Sequence, residues 1–144
     1  GMLYHDWAQH YCDRNHPGSR PVFYNHTARN HVIRMLTNWI GDDGMVSRIG
    51  WRLISEREKQ DRCNMFPESY DRPSVLLKVP YLKEAGKYLN VHGMVNDLVI
   101  SRGYVYDKYI KDGRHYVELA CWCENLEGDI MQECPATVIL PSRS

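Results

Sequence analysis

The clearest pattern in the chain lies at 27–44, TARNHVIRMLTNWIGDDG. Val32, Met35, Leu36, Trp39 and Ile40 recur at i, i+3, i+4, i+7 and i+8, which draws one broad apolar stripe down a helix. Arg29, Asn30, Arg34, Thr37 and Asn38 take the other side. Ile33 sits off the stripe, so this helix is expected to be covered on more than one face. Asn25 and Thr27 suit its N-cap. Gly41 suits its end, followed by a turn at Asp42, Asp43 and Gly44.

The last third carries a period of two. Residues 98–111 are rich in Val, Ile and Tyr, and Asp112-Gly113 is a strong hairpin signal. In 114–124, His115, Val117, Leu119, Cys121 and Cys123 alternate onto one face. A second turn is expected at 125–128 and a third strand at 129–140, ended by Pro141. Pro135 inside that strand predicts a bulge or an edge position. These strands form an antiparallel meander, so the predicted architecture is α+β, one helix laid on a strongly bent sheet.

The remaining segments are less patterned. Residues 2–11 (MLYHDWAQHY) suit a short helix, and 13–21 (DRNHPGSRP) read as loop. Residues 45–55 alternate, with Ile49, Trp51 and Leu53 inward and Arg48 and Arg52 outward. Trp39 and Trp51 are expected in the core. The stretch 56–73 reads as loop, 74–80 (SVLLKVP) as a short strand, and 81–89 as holding a helical turn.

Composition narrows the function classes. The 144 residues suit a single domain with a real core. Eighteen basic residues balance eighteen acidic ones, which leaves no electrostatic footprint for nucleic acid or an anionic membrane. No run approaches a membrane span, and no signal peptide is expected. Gly1 reads as the remnant of a cleaved tag before Met2. Five cysteines without framework spacing argue for a reducing, cytoplasmic setting. Cys121 and Cys123 read as core residues, because C-x-C has no second pair at zinc spacing; no metal site is expected.

The closing hairpins read GYVYDKYIKDGRHYVELACWCENLEGDIMQECPATVILP. They resemble the end of a MaoC-like dehydratase, a (R)-specific enoyl-CoA hydratase-type member of the hotdog superfamily. That pattern is a G-x-V strand, a V-x-L strand, N-x-x-G at the turn and A-x-V-x-L-P at the close. Gly103, Val105, Val117, Leu119, Asn125, Gly128, Ala136, Val138, Leu140 and Pro141 supply its pieces. MLTNWIGDDG is similar to the helix segment of a subgroup carrying N-W-x-G-D-D, and Asn96-Asp97-Leu98 stands near the family's G-D. The likeness spans about 21–55 and 95–142.

The resemblance implies a hotdog fold, with the long helix wrapped by the sheet. It implies a homodimer or higher homo-oligomer, and a tunnel for acyl thioesters of CoA or acyl carrier protein, with no cofactor. Active members hydrate enoyl thioesters or dehydrate 3-hydroxyacyl thioesters. That chemistry needs a base for water, an acid for the α-carbon and donors for the enolate-like oxygen. The family draws the first two from an Asp and a His in D-x-N-x-x-H, and the third from backbone N–H groups at the helix N-terminus.

Here the sequence departs from the family. Its H-G entry falls on Tyr24-Asn25 or Asn25-His26, without the glycine, and its Asp and His fall at or before Met2. His5-Asp6 and Asp13-Arg14-Asn15-His16 are local substitutes, and both stay open. His26 joins them as a catalytic candidate, and Tyr24, Asn25, Thr27 and Arg48 as substrate-binding candidates, Arg48 through a CoA phosphate. Two readings follow: a hydratase or dehydratase, or a non-catalytic hotdog subunit that binds a thioester or pairs with a catalytic chain. Thioester hydrolysis, which needs an Asp or Glu aimed into the tunnel from the helix or loop, ranks last, because the helix has none before Asp42.

Overall fold

The computed structural model describes residues 25–51, 74–84 and 98–142. Helix α1 spans Asn25–Ile40 and is followed by strand β1, Met45–Ile49. A 3-10 helix, Val75–Lys78, leads into the short helix α2, Pro80–Glu84. Strands β2 (Ile100–Lys111), β3 (Arg114–Glu124) and β4 (Ile130–Leu140) complete the described chain. The four strands form one antiparallel sheet in the order β1-β4-β3-β2.

The stripe expected on α1 is the buried one, in part. Val32, Leu36 and Ile40 are buried against Val117, Leu119, Cys121, Cys123, Cys134, Ala136 and Val138, with Met35 half-buried beside them. Each such aliphatic contributes roughly 1.5–3 kcal/mol by leaving water. Trp39 corrects the expectation, since it stays 52 % exposed at the rim of the stripe. The helix is already formed at Asn25, so Thr27 lies inside it and is not its N-cap. Gly41 ends it at φ +75, with its N–H on the Thr37 carbonyl at 3.1 Å.

The hairpins follow from their turn residues. Asp112 and Gly113 both hold positive φ, which the tight two-residue turn requires. Asn125 closes the second turn through its Oδ1, which accepts the Asp129 N–H at 2.8 Å.

Three expectations change. Residues 75–78 form a 3-10 helix where a strand was expected, because Ser74 turns the chain by accepting the Leu76 N–H at 3.3 Å. Trp51 is 40 % exposed, with the Arg29 guanidinium 3.9 Å from its ring centroid. Pro135 lies neither on an edge nor in a bulge, since β4 runs between β1 and β3. Its backbone turns toward β1 where that strand has ended at Ile49, and its carbonyl takes the Gly50 N–H at 2.8 Å. The proline nitrogen faces the same side and offers no donor in return, so the β1 ladder stops at this pair.

Alternation gives the sheet two faces. The face toward α1 carries the core just described. The other face carries Trp122, Ala120 and Ile130, covered by Val75, Leu76, Val79 and Leu82.

Candidate functional site

The described cavity opens between α1 and the edge strand β2. It holds about 210 Å³ and is lined by Met35, Leu36, Trp39, Gly103, Val105 and Leu119. Its walls follow from local sequence. Met35, Leu36 and Trp39 are neighbours on one side of the helix. Gly103, Val105 and Leu119 share the helix side of the sheet, Val105 being the direct partner of Leu119 and Gly103 that of Cys121. Gly103 keeps the wall thin: a Cβ there would sit 3.4 Å from Met35 Cε and 3.5 Å from Cys121 Sγ. None of these described side chains ionises, so the cavity suits an apolar chain.

Beyond the cavity the same face turns polar. Cys121 pairs with Cys134, and Cys123 with Gln132. None of the three is joined in a disulfide, and all are buried. Burial pushes the Cys121 thiol up to about 12, and the Cys123 and Cys134 thiols also upward. They are therefore neutral, unreactive core groups at physiological pH. The Ser101 hydroxyl lies 3.6 Å from Cys123 Sγ.

The opposite face is a closed set of polar contacts. The Ser74 hydroxyl donates to buried Glu133. Arg102 Nε donates to Glu124 at 2.6 Å, and Trp122 Nε1 donates to the same carboxylate at 2.9 Å. Glu118 accepts from Thr137 Oγ1 at 2.8 Å and from Tyr109 at 2.9 Å, and that bond raises the Tyr109 phenol above its ordinary value.

Of the catalytic candidates, His5, Asp6, Asp13 and His16 lie outside the described residues, as does Tyr24. Asn25, His26 and Thr27 form the first turn of α1. Arg48 is exposed on β1 opposite Thr137, on the face turned from the helix. No group of three His, Cys, Asp or Glu among the described residues stands close enough to hold a metal ion. No helix among them is long and apolar enough to cross a membrane.

Sequence reasoning missed the cavity walls. The available signals were Trp39 at the rim of the helical stripe and a lone glycine, Gly103, within a Val- and Tyr-rich strand. It also missed Gln132, a polar residue among the alternating apolar positions of β4.

Among solved structures, the chain is similar to one from the ChsH1-ChsH2 complex of Mycobacterium tuberculosis. The TM-score is 0.52 at 15% identity, covering 92% of this chain and 72% of that one. The fold is of the hotdog kind. A weaker likeness is to the C-terminally truncated HadBC (3R-hydroxyacyl-ACP dehydratase) complex of the same organism, with TM-score 0.32 and 10% identity over 69% of this chain and 98% of that one. No family model and no curated protein matches the sequence.

Proposed function

We propose that the protein is a MaoC-like hotdog protein that takes acyl thioesters of CoA or acyl carrier protein, and that it hydrates enoyl or dehydrates 3-hydroxyacyl thioesters. The observation that carries this reading is the apolar cavity between α1 and β2 of a hotdog fold. It is a slot for an acyl tail, on the same face as the side chains that α1 buries. The first turn of α1, with Asn25, His26 and Thr27, offers backbone N–H groups to a thioester oxygen. The acid and base come from His26 or from the pairs His5-Asp6 and Asp13-His16.

The second reading is a non-catalytic hotdog subunit that binds the thioester or pairs with a catalytic chain. It is favoured by the described walls of the cavity, Met35, Leu36, Trp39, Gly103, Val105 and Leu119, none of which is an acid or a base. A partner is also in keeping with the two similar structures, both of them complexes.

The test is a hydration assay on purified protein with a short and a medium enoyl-CoA, following the conjugated thioester absorbance. Turnover that His26→Ala or Asp6→Ala abolishes supports the enzyme and identifies its acid or base. Thioester binding without turnover, at high protein concentration, supports the subunit instead. Absence of both sinks the thioester reading.

A further inference from the structure

Positions 27, 31, 35 and 39 of α1 stand four residues apart, so they mark one ridge of the helix. Met35 and Trp39 on that ridge line the apolar cavity. Thr27 belongs to the first turn, whose backbone N–H groups have no partner within the helix. His31, between them, is exposed. One ridge therefore runs from backbone donors, past a solvent-facing turn, to an apolar slot.

The spacing along this ridge sets a length. At a rise of about 1.5 Å per residue, Met35 lies about 12 Å beyond Thr27 along the axis, and Trp39 about 18 Å beyond it. An extended alkyl chain, with bonds of about 1.5 Å at about 111°, advances about 1.25 Å per carbon. A thioester carbonyl held at the first turn thus brings about its eleventh carbon level with Met35 and about its fifteenth level with Trp39. The slot has room for that segment. A dry apolar cavity of about 150 Å³ accepts benzene, a ring of six carbons, and this one holds about 210 Å³. Its walls suit a hydrocarbon. Met35 is unbranched and adaptable, and Gly103 adds no side chain opposite Met35. Trp39 is half exposed at the far end, so the gain from burial ends there.

We infer that the cavity selects long acyl chains, of about twelve to sixteen carbons, with Met35, Trp39 and Gly103 as the residues that set the length. A short chain held at the same place ends beside His31 and leaves the slot empty. This inference rests on the acyl-thioester reading above and adds the length of the chain.

The experiment is equilibrium dialysis of the full chain against butyryl-, octanoyl-, dodecanoyl-, hexadecanoyl- and icosanoyl-CoA, each below its micelle-forming concentration. Affinity is expected to change little from butyryl to octanoyl. It then rises by roughly three- to fourfold for each methylene that enters the slot, and it levels off beyond hexadecanoyl. Gly103→Leu, which fills the slot, is expected to flatten the rise. Trp39→Ala, at a half-exposed position, is expected to shorten it, so that dodecanoyl and hexadecanoyl draw together. An equal gain for every methylene from butyryl onward, as unspecific adsorption gives, overturns the inference. So does a wild type indifferent to length, or a step that both variants keep. If Gly103→Leu does not fold, the Trp39→Ala profile decides alone. A wild type that binds no acyl-CoA sinks the acyl-thioester reading itself, which separates the two failures.

Discussion

The two faces of the sheet are built from the same strands by alternate residues, yet they meet their polar groups differently. On the outer face, the polar groups around Trp122 close on one another: Ser74 with Glu133, and Arg102 and Trp122 with Glu124. A short helical segment lies over Trp122 and seals it. On the helix face, a cavity stays open and the buried Gln132 amide has no hydrogen-bond partner among the described residues. A sheet face whose polar groups are satisfied is spent on stability. A face that keeps a slot and an unmatched amide forgoes some stability, which is the usual mark of a binding surface.

The contrast is most strongly tested by Trp122→Ala. Removing a fully buried indole should cost about 3–5 kcal/mol in urea unfolding, while leaving the cavity walls in place in whatever fraction stays folded. Gly103→Leu is the converse change. Its φ is ordinary and its Cβ meets only normal contacts, so the fold should hold, while the longer side chain fills the cavity. Thioester affinity should fall by roughly tenfold or more, about 1.4 kcal/mol, with little change in melting temperature; an unchanged affinity would remove the cavity from the function.

Ser74→Ala should cost roughly 1.5–3 kcal/mol, as expected for a hydrogen bond to a charged group. It should loosen the 74–84 segment, read as faster amide exchange there, without touching thioester binding. The last effect is in alkali. The Cys121 thiol sits near 12 when folded against an ordinary 9.0, so the unfolded chain gives up its proton first. Stability is full below pH 9 and falls as pH rises toward 12, by up to about 1.4 kcal/mol per pH unit for each such thiol. Urea unfolding of Cys121→Ala between pH 8.5 and pH 10.5 should show a shallower fall than the wild type; an equal slope would place that thiol in contact with water.

Much of the described fold was legible because its signals are local. The stripe through Val32, Leu36 and Ile40, the Asp112-Gly113 turn and the alternation through Val117, Leu119, Cys121 and Cys123 each depend on spacing within one element. The candidate site was far less so. Trp39 falls on the helical stripe and its hydrophobicity argues for burial, yet it stays 52 % exposed. The run SVLLKVP suits a strand by propensity, but the Ser74 turn and the waiting surface of Trp122 and Ile130 make it helical. Tertiary packing overrides a weak local preference in this way.

The sequence by itself determined a helix ending at Gly41, a meander of three strands, the turns between them and the core placement of Cys121 and Cys123. It did so because chain geometry ties each of these to a period of 3.6 or two, or to a residue that tolerates positive φ. The tertiary structure decided that β4 runs inside the sheet, that a cavity opens between Trp39 and Gly103, and that Gln132 lies buried with no hydrogen-bond partner among the described residues. Those facts arise from residues far apart in the chain that meet only when the sheet closes, and no spacing within one element encodes them.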